Sequence, residues 1–85
     1  MEETMLTIDA RGEACPIPVV RTLKALGALA GPGTVETIVD NEIAVQNLTR
    51  MGEGKGCAVS SERTGEKEWR VTVRADAAVA VAAGE

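Results

Sequence analysis

The stretch TMLTIDARGEACPIPVV, residues 4–20, reads as a strand, a turn and the start of a helix, and the rest of the fold is read outward from it. Thr4 to Asp9 alternates: Leu6 and Ile8 share one face, Thr7 takes the other and Asp9 closes the run, as in a half-buried strand. Ala10 to Ala14 is a turn in which Gly12 supplies the unusual dihedral. Cys15 opens a helical segment. Pro16 suits its first helical position, where a missing N–H costs nothing. Pro18 is tolerated at the third, because the carbonyl four residues back belongs to Ala14, outside the helix. Val19, Leu23, Leu26 and Ala30 continue as an amphipathic stripe with Arg21 and Lys24 away from it, and Gly31-Pro32-Gly33 stops the helix.

Thr34 to Val39, rich in β-branched residues, is a second strand. Asp40 is the expected cap of a second helix, with Asn41 as the alternative and Glu42 favourably placed in the first turn. The stripe of that helix is Ala44, Val45, Leu48, Met51 and Gly52, and Gly52, Gly54 and Gly56 end it. Cys57 to Arg63 is a third strand and Thr64-Gly65-Glu66-Lys67 a hairpin turn. Glu68 to Arg74 alternates, with Trp69, Val71 and Val73 inward and Arg70, Thr72 and Arg74 outward. The order is β-α-β-α-β-β. Because βαβ crossovers are right-handed, both helices fall on one face of the sheet. The expected fold is an α/β (α+β) two-layer sandwich, two helices on one face of a four-stranded mixed sheet. Residues 1–75 make the domain, and 76–85 an Ala-rich tail or linker.

The chain has 85 residues, room for one domain, and a single Trp as its only aromatic, so the core is aliphatic. A net charge of −4 disfavours direct nucleic-acid binding and suits a protein partner with a basic face. Absence of His removes the commonest general base and metal ligand; two Cys without His give no zinc spacing, so neither a metal nor a cofactor is expected. The N-terminal Met-Glu-Glu-Thr-Met has no basic or apolar region of a secretory signal, and no apolar run is long enough for a membrane span. The expected location is cytoplasmic, with both thiols reduced.

Strands 1 and 2 are parallel in this reading, so their carboxyl ends lie side by side, the edge at which open α/β sheets bind ligands. Asp9, Arg11, Gly12, Cys15, Asp40 and Asn41 converge there. The helix N-terminus favours a Cys15 thiolate; Arg11 would add to that effect and Asp9, if close, would oppose it. Pro18 stands where a dithiol motif would place its second Cys, so no resolving thiol is local. Pro16 and Pro18 also remove first-turn N–H donors, which weakens the site as a phosphate or oxyanion cradle. What remains is a lone thiol suited to carrying a soft group rather than to hydrolysis.

Asp9-Ala10-Arg11-Gly12-Glu13-Ala14-Cys15-Pro16-Ile17-Pro18 resembles the N-terminal signature of the TusA/SirA/YedF family of sulfur-carrier proteins. Val39 to Leu48 resembles the start of the second helix in the YedF branch, often linked to selenium metabolism. The resemblance implies the β-α-β-α-β-β sandwich and a persulfide held on Cys15. It also implies a cysteine desulfurase or rhodanese-like sulfur donor and an acceptor sulfur-relay protein, in some relatives toward tRNA thiolation. In enzyme terms such a protein is a carrier or accessory transferase, and the sequence shows no substrate pocket. Selenium-linked relatives often carry a second, C-terminal domain, so the tail marks either a stand-alone end or a fragment.

Plainer readings stand beside these. Cys57 is expected as core packing, at the opposite end of the layout from Cys15, rather than as a resolving thiol. Trp69 is expected in the core, Arg11 as a solvated charge, and Asp9 as a strand end. The alternative function is a non-catalytic regulatory interaction module in which the thiol is incidental.

Overall fold

The computed structural model describes residues 4–14, 16–29 and 32–76. Its elements are β1 (Thr4–Asp9), α1 (Ile17–Ala28), β2 (Gly33–Val39), α2 (Glu42–Gly54), β3 (Ala58–Gly65) and β4 (Glu68–Ala75). The sheet order is β1-β2-β4-β3. β1 runs parallel to β2, with Thr4 opposite Gly33 and Asp9 opposite Ile38, and the other two pairings are antiparallel. Both helices lie on one face. Val35, Thr37 and Val39 of β2 and Val71 and Val73 of β4 point toward them and are fully buried, together with Leu26 of α1 and Leu48 of α2. Aliphatic interlock therefore replaces the aromatic packing that the composition denies.

The close approach of α2 to the sheet explains its mid-helix glycine. A Cβ on Gly52 would collide with Val59 and press on Val73 at 3.3 Å, so the helix gives up propensity at that residue for contact.

Several local expectations are corrected. Pro16 is the N-cap of α1 rather than its first helical residue, and Pro18 falls in the second helical position instead of the third, because the Ile17 N–H is taken by the Ala14 carbonyl in a preceding turn (2.9 Å). The buried line of α1 is Pro18, Thr22 and Leu26, continued by Leu29, with Val19 only half-buried. Thr22 tolerates full burial because its hydroxyl lies within hydrogen-bond distance of both the Pro18 carbonyl (2.8 Å), to which it donates, and the Thr37 hydroxyl on β2 (2.6 Å). Ala30 lies outside the described residues. β2 begins at Gly33, which had read as part of the stop. β3 begins at Ala58 and runs to Gly65, with a bulge between Arg63 and Gly65, leaving Glu66-Lys67 as the turn. β4 ends at Ala75, and of the expected tail only Asp76 is described.

Candidate functional site

The carboxyl ends of β1 and β2 adjoin, and one further ladder bond, from the Ala10 N–H to the Ile38 carbonyl (2.8 Å), carries the pairing into the loop before α1. Gly12 then takes a φ of +80°, which only glycine adopts without strain. That conformation aims its N–H at Asp40 Oδ2, 2.7 Å away at the end of β2. Asn41 donates to the other oxygen of the same carboxylate (3.2 Å). These bonds, the Gly12 N–H first, hold the Asp40 carboxyl below its ordinary range.

Asp40 is thus a clasp between the two strand ends, and it does not cap α2. Asn41 does so, its Oδ1 accepting from the Ala44 N–H at 2.8 Å, with Glu42 in the first turn. The expected preference for Asp40 fails because its carboxylate has a partner 28 residues away that local sequence does not reveal.

Asp9 and Arg11 neutralise one another. The guanidinium binds the carboxylate through two bonds, Nε to Oδ1 (2.9 Å) and Nη2 to Oδ2 (2.8 Å), and reaches Glu68 Oε1 at the start of β4 (3.2 Å). The Arg11 side chain and backbone N–H hold the Asp9 carboxyl down at about 2, and the same contact pushes Arg11 upward. The anion that would have opposed a nearby thiolate is therefore countered within its own loop, and the cation that would have aided one is committed. Arg21, from the second turn of α1, braces the loop by donating to the Asp9 carbonyl (3.1 Å) and Glu13 Oε1 (2.8 Å). Sequence reading missed Arg21, Glu13 and Glu68. Arg21 was legible as a long cation one helical turn and a half beyond the loop; Glu68, 57 residues from Arg11, carried no local signal.

Cys15 itself lies outside the described residues; its neighbours Ala14 and Pro16 are exposed. α1 begins without a side-chain cap and without an acidic residue in its first turn. Pro18 has no N–H, and those of Ile17 and Val20 go to the Ala14 and Pro16 carbonyls (2.9 and 3.0 Å). Few first-turn donors are therefore left to cradle an oxyanion, while the aligned peptide dipoles still place partial positive charge at this end. The other thiol, Cys57, is 8% exposed within the core cluster, and desolvation first, then the Asp76 charge, pushes it up. It precedes Ala58, whose partner Arg74 pairs with Thr34 at the beginning of β2, so it sits at the far end of the sheet from Asp40. Among the described residues, no three or more His, Cys, Asp or Glu side chains group to hold a metal, and no helix is long and apolar enough to cross a membrane.

A two-layer sandwich whose sequence carries a cysteine-proline motif after the first of two parallel strands defines a narrow class, and comparison with known proteins agrees. Residues 6–75 match the family Sulfurtransferase TusA, and the chain belongs to that family. A protein of Archaeoglobus fulgidus provisionally named a sulfur carrier is 35% identical over 68 residues, covering 79% of this chain and 77% of its own. One of Methanocaldococcus jannaschii, with the same provisional name, is 31% identical over 70 residues, covering 82% and 93%. The crystal structure of a SirA-like protein from Desulfitobacterium hafniense superposes with a TM-score of 0.82 at 44% identity, covering 85% of this chain and 99% of that one. These relatives support a sulfur-carrier role.

Proposed function

We propose that this protein holds sulfane sulfur as a persulfide on Cys15 and relays it from a donor to an acceptor protein. The Cys15 thiolate attacks the outer sulfur of a donor persulfide. An S–S bond forms to Cys15, the donor's S–S bond breaks, and the donor cysteine leaves as a thiolate. In the second step an acceptor thiolate attacks the outer sulfur on Cys15, and Cys15 leaves as the thiolate it began as. Neither step changes the net redox state, so no oxidant or reductant is consumed.

The observation that carries this reading is the contrast between Cys57 and the residues that flank Cys15. Cys57 is a desolvated core thiol with a raised pKa. Ala14 and Pro16, the sequence neighbours of Cys15, are exposed, and the Asp9 carboxylate of the preceding segment is already neutralised by Arg11. Pro16, Pro18, Gly12, Arg11 and Asp9 shape that segment, and Asp40 and Asn41 fix it against the start of α2. The donor is of the cysteine desulfurase or rhodanese-like kind, and the acceptor belongs to tRNA thiolation or to sulfur or selenium metabolism in the cytoplasm.

Intact mass after incubation with a cysteine desulfurase and cysteine tests the chemistry. One added sulfur is expected on the wild type and on Cys57→Ala, and none on Cys15→Ser. Equal loading of all three proteins would point instead to a regulatory module with an incidental thiol.

A further inference from the structure

An open groove of about 360 Å³ lies between the helices, lined by Pro16 and Val19 from α1 and by Asn47, Arg50 and Met51 from α2. It begins at the residue that follows Cys15. We propose that this groove docks a segment of a partner protein that presents a cysteine to Cys15, an apolar side chain to the groove and a carboxylate to Arg50. The proposal rests on the carrier reading of Cys15 and specifies the chemistry of the partner it meets.

The shape and lining favour a protein segment over a small thiol. Pro16, Val19 and Met51 make the walls apolar, and Met51 can adapt to the side chain it receives. The volume lies at the low end for small-molecule sites, and such sites enclose most of their ligand, whereas this groove is open. A small polar thiol would remain mostly in water there. Large apolar side chains are also exposed on both helices: Ile17 and Val20 are 46% and 42% exposed one turn apart on α1, and Ile43 is 63% exposed one turn before Asn47 on α2. A protein partner can cover such side chains, and a small thiol cannot.

Charge fixes the chemistry of the second contact. Arg11, Arg21, Arg70 and Arg74 each pair with a carboxylate, and Arg63 lies over the Trp69 ring and bonds to the turn carbonyls. Arg50 is exposed and has no ion-pair partner among the described residues, and it borders an apolar wall. A weakly hydrated, forked guanidinium in that setting selects a carboxylate. In a chain with a net charge of −4, this guanidinium beside the groove, without an ion-pair partner among the described residues, is a local exception to a surface that otherwise suits basic partners, so it sets the register of the incoming segment.

Disulfide trapping on the full chain tests the docking separately from sulfur transfer. Three synthetic peptides each carry one cysteine as its mixed disulfide with cysteamine, followed by Leu and Glu, by Leu and Lys, or by Ser and Glu, and oxidised glutathione serves as the small-thiol control; the Cys15 thiolate attacks the disulfide and a thiolate leaves, so no oxidant is needed. Intact mass over a series of reductant concentrations measures capture, and peptide mapping assigns it to Cys15. The wild type is expected to hold the Leu/Glu peptide at roughly tenfold more reductant than the other two peptides or glutathione. Arg50→Glu is expected to shift the preference to the Leu/Lys peptide. Equal capture of all three peptides, a preference that survives Arg50→Glu, capture of glutathione as strong as that of the Leu/Glu peptide, or no capture at all overturns the docking surface. If the peptide preference holds while Cys15 accepts no sulfur from a desulfurase, the carrier reading has failed and the groove has not.

Discussion

Two helices start side by side at the carboxyl ends of β1 and β2, and they start in opposite ways. α2 has what an isolated helix needs: Asn41 capping the Ala44 N–H, and Glu42 in the first turn. α1 has Pro16 at its cap with no side-chain hydrogen bond, and Pro18 one residue inside. It is held from outside, by the Thr22–Thr37 hydrogen bond to the sheet and by Arg21 reaching back over the loop. The difference shows that one helix start is built for folding. The other gives up local stability and leaves an uncapped, positively polarised end.

The largest effect should come from releasing α1. Thr22→Val leaves the buried Thr37 hydroxyl unpartnered and is expected to cost about 2 kcal/mol in chemical denaturation. The double substitution Thr22→Val with Thr37→Val should cost much less than the sum of the single changes, because no orphan hydroxyl remains. Additive losses would mean that packing rather than the hydroxyl pair holds the helix. Gly12→Ala comes next. Nothing stands within 4 Å of its new Cβ, so the loss, roughly 1–2 kcal/mol, is the backbone cost of a positive φ. Gly56, with a φ of 78° and equally open surroundings, is the matched control. Gly56→Ala should lower the melting temperature as much, and only Gly12→Ala should also slow sulfur loading at Cys15.

Removing the α2 cap by Asn41→Ala is expected to cost about 1 kcal/mol, read as a melting temperature lower by about 4–8 °C. No single residue of α1 near its start should behave as a cap in the same scan. The smallest effect is titration of the loop. Asp9 falls from 3.8 to about 2 in the folded protein, so its contribution is fully present above the unfolded value and is lost as pH drops through that interval. Thermal melts between those limits should decline, and Asp9→Asn should flatten the decline.

Much of this was legible locally. Alternation placed β1 and β4, and the repeat of Ala44, Leu48 and Gly52 placed the buried face of α2. Parallel pairing of the first two strands brought Asp9, Arg11, Gly12, Asp40 and Asn41 to one edge, as their spacing implies. What escaped was decided by partners far along the chain. Thr22 is polar and reads as exposed until Thr37 is known to face it. Asp40 reads as a cap until Gly12 claims it. Arg11 is exposed, as a solvated charge would be, but its reach to Glu68 on β4 has no local signal. The groove escaped for the same reason, since Pro16 caps α1 while Arg50 lies within α2, and they share no periodicity.

Trp69 is the only aromatic residue in the chain. It pairs with Val39, two residues before Asn41, and follows the Glu68 that grips Arg11, while the Arg63 guanidinium sits 5.5 Å from its ring centre. Its ultraviolet emission is therefore a built-in optical probe, free of any background fluorophore and stationed at the edge that carries the candidate site. Ligand capture at that edge can be followed in real time without attaching a dye.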